Sequence, residues 1–127
     1  MLDAELVQTG QDFKHAAFVF QHGSIPDDFL TAHILAVTGI SKGNAKARWI
    51  AAATLDRYLQ KIGQPQVFGT QYAFKMENGK PLPWTMEPYD RTLISPALLK
   101  ANCVPDFEDQ AGMLASIIKN EDPKPPQ

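Results

Sequence analysis

Asp56-Arg57 closes an alanine-rich stretch and is followed by Gln64-Pro65-Gln66 and Gly69-Thr70-Gln71, so a carboxylate, a guanidinium, a hydroxyl and several amides fall close together in the chain. With His22 they form a set able to do acid–base work on a bound anion or carbonyl. His22 or Asp56 would serve as general acid or base, and Arg57 would hold negative charge. Gln66, Thr70 and Gln71 would orient the ligand by hydrogen bonds. The reaction classes that fit are hydrolysis and proton transfer, with no metal and no cofactor in the scheme.

A structural reading uses the same residues differently. On a helical wheel Asp56 falls at the edge of an apolar arc, near Trp49 and Ala52, and a carboxylate buried there needs donors because an unpaired buried charge is very costly. Backbone N–H groups of the following segment would supply them. Arg57 points about 100° away on the helix and becomes a surface cation, while Gln64, Gln66 and Gln71 lock the loop. In that case the domain is a helical protein–protein interaction module that works through an exposed apolar helix face.

Other reactive residue types carry less. His15 and His22 lie seven apart, about 10 Å of helix rise, too far for two ligands of one ion. His33 has no paired ligand at i+4. His22 differs by standing at a helix end before Gly23, where an imidazole can face a cleft. Cys103, the single cysteine, has no adjacent cation or helix start to lower its pKa and reads as a packed thiol. No nucleophile elbow, phosphate loop or dinucleotide fingerprint is present.

These residues need a scaffold, and the chain is long enough to provide one. Its 127 residues and 44% hydrophobic content suit a single globular domain over 1–120 with a real core. The proline-rich tail 121–127 is expected to be disordered. A formal charge of −2, with cations scattered among carboxylates, argues against a nucleic-acid partner. No apolar run approaches the roughly 18 residues of a membrane span. The N-terminus lacks the basic start of a secretory signal, which points to the cytoplasm if no leader has been trimmed. Oligomeric state is left open.

The fold class expected is mainly α, a small helix-rich α+β domain with one β-hairpin. A helix from about Asp3 to His22 carries Leu6, Phe13, Ala17 and Phe20, with Gly10 as a possible break. Pro26 with Asp27 and Asp28 starts a second helix that Thr38-Gly39 ends. Asn44 caps a third, which runs to about Ile62 before Gly63. Asn78-Gly79 between the runs 67–76 and 81–86 signals a type I′ hairpin turn. Regular pairing would put Gln71, Ala73, Leu82, Trp84 and Met86 on one face and Thr70, Tyr72 and Phe74 on the other. Ser95-Pro96 and Asp106 open two last helices, and the core expected is Trp49, Leu55, Leu59, Phe20 and Leu35.

Phe20-Gln21-His22-Gly23, the stretch Ala53 to Leu59, Gly63 to Gln66 and Phe68-Gly69-Thr70-Gln71 together resemble a bacterial family of unknown function marked by a Gln-His, an Asp-Arg and a Gly-Thr-Gln. The resemblance covers about residues 15–90 and implies which positions matter without implying a reaction. That family often has Ala-Asp after its Gln-His, where this chain has Gly23-Ser24. A fainter resemblance to helical-repeat solenoids rests on small-residue packing around Ala32 and Ala47 to Ala53. Fewer than three repeats fit, and a solenoid needs stacked repeats to bury a core.

Overall fold

The computed structural model describes residues 9–120. The tail 121–127 and the expected start of the first helix at 3–8 lie outside the described residues. Within them the protein is a helix-rich α+β domain of five α-helices and one antiparallel hairpin. Helix α1 spans Gly10–Phe20, α2 Pro26–Ser41 and α3 Arg48–Lys61, with a 3-10 turn at Ala45–Ala47 before α3. The hairpin pairs β1, Met76–Glu77, with β2, Lys80–Pro81, and is followed by α4, Pro96–Ala101, and α5, Phe107–Asn120. No described helix is long and apolar enough to cross a membrane.

Gly10 does not break α1 but begins it, behind a Thr9 and Asp12 capping box. α2 runs past Thr38-Gly39 to Ser41, and both glycines serve close approach rather than termination. A side chain on Gly10 would meet the Gly39 carbonyl at 2.9 Å, and one on Gly39 would meet the Gly10 carbonyl at 3.0 Å. Asn44 caps the 3-10 turn by accepting from the Lys46 N–H, and its amide reaches back to Gln11 at 3.0 Å.

Two apolar clusters share α3 between them. Ala17, Leu35, Ala36, Ala47, Ile50 and Ala51 form one with α1 and α2; Ala52 joins Leu99 and Val104 in the other, with Phe68, Ile94 and Phe107 packed around it. The apolar interior of α3 is therefore Ile50 with the alanines Ala51 to Ala53. Alanine favours the helix and lets neighbours pack close to its axis. Leu35 is in the core as expected and Phe20 packs partly against it. Trp49 is 39% exposed, and Leu55 and Leu59 are half-buried, because the face α3 turns inward is that of Ile50, Ala51 to Thr54 and Asp56.

The hairpin turns through Asn78 and Gly79, with φ of 52° and 78°, as a type I′ turn requires. Its register departs from regular pairing. Leu82 N–H donates to the Lys75 carbonyl, whereas Ala73 and Thr85 exchange hydrogen bonds in both directions at 3.0 and 2.8 Å. Pro83 and Trp84 thus oppose the single residue Phe74, a bulge where a proline supplies no N–H. The bulge turns Trp84 onto the face of Phe74, ring centroids 4.8 Å apart, and overturns the expected face on which Trp84 joined Ala73.

Cys103 is exposed rather than packed. It takes the left-handed position after α4, φ 60°, where its N–H donates to the Lys100 carbonyl and that of Val104 to Leu99. This is a Schellman closure, and Val104 and Leu99 complete it by packing together in the second cluster.

Candidate functional site

Helix α3 ends in a second Schellman closure. Gly63 N–H donates to Gln60 and Gln64 N–H to Leu59. The chain then folds back along the helix as an irregular segment, and three buried polar side chains hold it from three directions.

Asp56 reaches it from α3. One oxygen accepts from the N–H groups of Val67 and Phe68 at 2.8 and 2.9 Å; the other accepts from the N–H and hydroxyl of Thr70 at 3.0 and 2.7 Å. Asp56 is fully buried, and four donors fill the lone-pair sites a carboxylate offers. Gln66, equally buried, closes the segment on itself and on the hairpin. Its carbonyl accepts from Gln71 N–H at 3.0 Å, and its amide donates to the Gln71 and Met86 carbonyls. Gln110 reaches in from α5, donating to the Phe68 and Pro105 carbonyls and accepting from the Tyr89 hydroxyl at 2.9 Å. Two facing carbonyls fix the amide orientation of each glutamine, since a carbonyl can only accept.

Gly69 is the point where these hubs meet. Its φ is +74°, a region costly for any residue with a side chain. An added Cβ there would collide with the Gln110 amide oxygen and approach the Tyr89 hydroxyl at 2.5 Å. Tyr89, pushed upward in pKa chiefly by burial, is covered by the Arg91 guanidinium 4.4 Å from its ring centroid. Arg91 in turn forms a two-bond ion pair with Glu87 at 3.0 and 2.8 Å.

Arg57 belongs to a different environment. Its guanidinium lies 4.8 Å from the ring centroid of Phe29 in α2, and burial draws its pKa downward, although a guanidinium remains a cation. It borders a groove of about 450 Å³ lined by Phe29, Arg57, Gln60, Lys61, Gln71, Tyr72 and Ala73. The lining holds two cations and no carboxylate. Among the described residues the ion pair found is Arg91 with Glu87, and Arg57 has no carboxylate partner. Tyr72, whose hydroxyl pKa is raised by burial, donates toward the Met113 sulfur at 3.9 Å.

The six residues singled out in the sequence therefore divide. Asp56, Gln66 and Thr70 meet in the internal network; Arg57 borders the groove; Gln71 belongs to both, with backbone bonds to Gln66 and a side-chain amide 3.1 Å from the Thr70 hydroxyl. His22 is exposed in the turn after α1 and lines no part of the groove. A Cβ on the next residue, Gly23, would fall on Asp28, whose carboxylate accepts from the Ser24 N–H at 3.2 Å. Sequence reasoning missed Tyr89 and Gln110. The available signal was Gln110 itself, a glutamine placed between Phe107 and Leu114 on the apolar stripe of α5.

Among the described residues no cluster of three histidine, cysteine or carboxylate side chains could hold a metal ion. Scans against protein-family models, curated proteins and solved structures return no significant match to this chain.

Proposed function

We propose that this domain binds a small anionic group in the groove between α3 and residues 71–73, with Arg57 as the principal contact. The observation that carries this reading is the half-buried guanidinium of Arg57, over Phe29 and beside Lys61, which among the described residues has no carboxylate partner and no acid in its groove. Arg57 and Lys61 are four apart on one helix, and like charges so placed repel by a few tenths of a kcal/mol. A bound anion removes that repulsion and meets a planar donor fork suited to carboxylate or phosphate. Gln60, Gln71 and the Tyr72 hydroxyl supply further polar contacts.

Binding is favoured over turnover. A hydrolase or acid–base scheme needs His22 or Asp56 facing the ligand, and His22 is absent from the groove lining while the Asp56 oxygens are occupied by four protein donors. The resemblance to the family marked by Asp-Arg and Gly-Thr-Gln fits a motif whose first half supplies Arg57 and whose second half supplies Gln71.

The test is titration of the protein with phosphate, acetate and glutarate, followed by backbone amide shifts. Saturable shifts at Gln60 and residues 71–73, weakened at least about tenfold in Arg57→Ala, are expected from the loss of a charge-assisted bidentate contact. Equal binding by the variant would remove Arg57 from the site. A protein-interaction role has one observation of its own, the exposed stripe Leu30, Ile34 and Val37 along α2. Concentration-dependent association abolished by Ile34→Lys would favour that role.

A further inference from the structure

We infer that the anion this groove takes is carried on an extended peptide, which adds as a third strand to the free edge of residues 71–75. The inference rests on the anion-binding reading and specifies its ligand.

The edge follows from the hairpin register. Because Ala73 and Thr85 exchange both of their hydrogen bonds, the N–H and C=O groups of the flanking residues Tyr72 and Phe74 point toward the opposite edge. Among the described residues none of those four groups has a partner. The two-stranded sheet at the hairpin tip is continued toward residues 71–75 by the bridge between Ala73 and Thr85, and among the described residues no third strand pairs with that side. Its other edge is different. There Pro81 and Pro83 lack N–H groups in alternate positions, a pattern that prevents strand addition. The hairpin is thus blunted on one edge and open on the other, and Gln71, Tyr72 and Ala73 at the start of the open strand line the groove together with Arg57 and Lys61.

The groove states what the strand should carry. Tyr72 and Ala73 offer apolar surface, Phe29 is buried beneath Arg57, and the two cations offer sites for acids. Arg57 and Lys61 stand one turn apart, about 6 Å of helix rise. Alternate side chains of a strand are about 6.7 Å apart on one face. An extended segment with acidic residues at alternate positions matches that spacing, with main-chain hydrogen bonds giving affinity and the acids giving selectivity.

The experiment uses the full chain and three probes: glutarate, the blocked peptide acetyl-Thr-Glu-Val-Glu-Val-Thr-amide, and the same peptide N-methylated at both glutamates and both valines, so that neither edge of the added strand keeps its central donors. The peptide should bind at least about tenfold more tightly than glutarate and shift the Tyr72 and Phe74 amides. N-methylation should remove most of that gain, and Arg57→Ala or Lys61→Ala, each checked for an unchanged melting curve, should weaken the peptide. If the methylated peptide binds as well as the parent, or the peptide binds no better than glutarate, strand addition is overturned while the anion site stands. If neither glutarate nor peptide binds in an Arg57-dependent way, both readings fall.

Discussion

On one side of the last turns of α3, Asp56 joins Gln66 and Gln110 in a buried network where every side-chain polar atom is bonded within the protein. On the other side, one residue later in sequence, Arg57 lies over an aromatic ring next to a second cation, with no acid in the groove among the described residues. The same helix end thus carries one carboxylate that cannot receive a ligand without surrendering protein donors and one guanidinium that has donors to spare. Polar residues adjacent in a motif can divide between holding a segment in place and presenting it, and burial with saturated hydrogen bonds separates the two.

The division predicts unequal costs. Asp56→Ala strips four donors of their buried acceptor and should destabilise the protein by about 3 to 5 kcal/mol in urea unfolding; a loss below about 1 kcal/mol would mean that water replaces the carboxylate and that this side is not the scaffold. Gly69→Ala attacks the same network from the backbone, through its positive φ and the space filled by Gln110 and Tyr89. It should cost about 2 to 3 kcal/mol, and unchanged stability would show that the segment relaxes freely. Arg57→Ala should change stability by no more than about 1 kcal/mol, the worth of its ring contact, while it weakens anion binding. A large loss of stability there would erase the contrast between the two sides.

The smallest effect belongs to the rim over Tyr89. Arg91 holds the Glu87 carboxyl below its ordinary pKa, so the pair stabilises the fold above the unfolded carboxyl value of about 4.3 and loses that contribution as pH falls through the lower folded value. Both side chains are about half exposed, 46% and 55%, and solvent screening limits the pair to less than about 1 kcal/mol. Glu87→Gln should therefore leave stability near neutral pH almost unchanged and flatten slightly its decline below pH 5. A large effect at neutral pH would extend the buried network to its rim.

Much of the scaffold was legible because local chemistry dictated it. Pro26, Asn44, Gly63, Ser95 and Asp106 mark helix ends through caps that act within a few residues, and Asn78-Gly79 fixes its own turn. The core composition was not legible in the same way. Trp49 outweighs Ala51 or Ala52 in any tally of hydrophobicity, yet the helix buries those alanines together with Ile50 and leaves Trp49 at its margin. Strand facing failed at Pro83, since one extra residue reverses every later side chain. Asp56 was recognisable as a candidate anchor for backbone N–H groups. The partition of Arg57 from it follows from the helical period, but the groove itself does not, because Phe29 and Tyr72 come from segments far from α3 in sequence.

The grip of Asp56 on Val67, Phe68 and Thr70 also bears on how the molecule breathes. Those three N–H groups lie outside any helix or sheet, where deuterium exchange is ordinarily fast. Here their acceptor is a fully buried carboxylate rooted in the middle of the molecule, so they can open to solvent only when the segment lifts off α3 as a unit. Val67, Phe68 and Thr70 should exchange together, at a rate set by that shared opening, and far more slowly than Tyr72 and Phe74, whose N–H groups have no acceptor among the described residues.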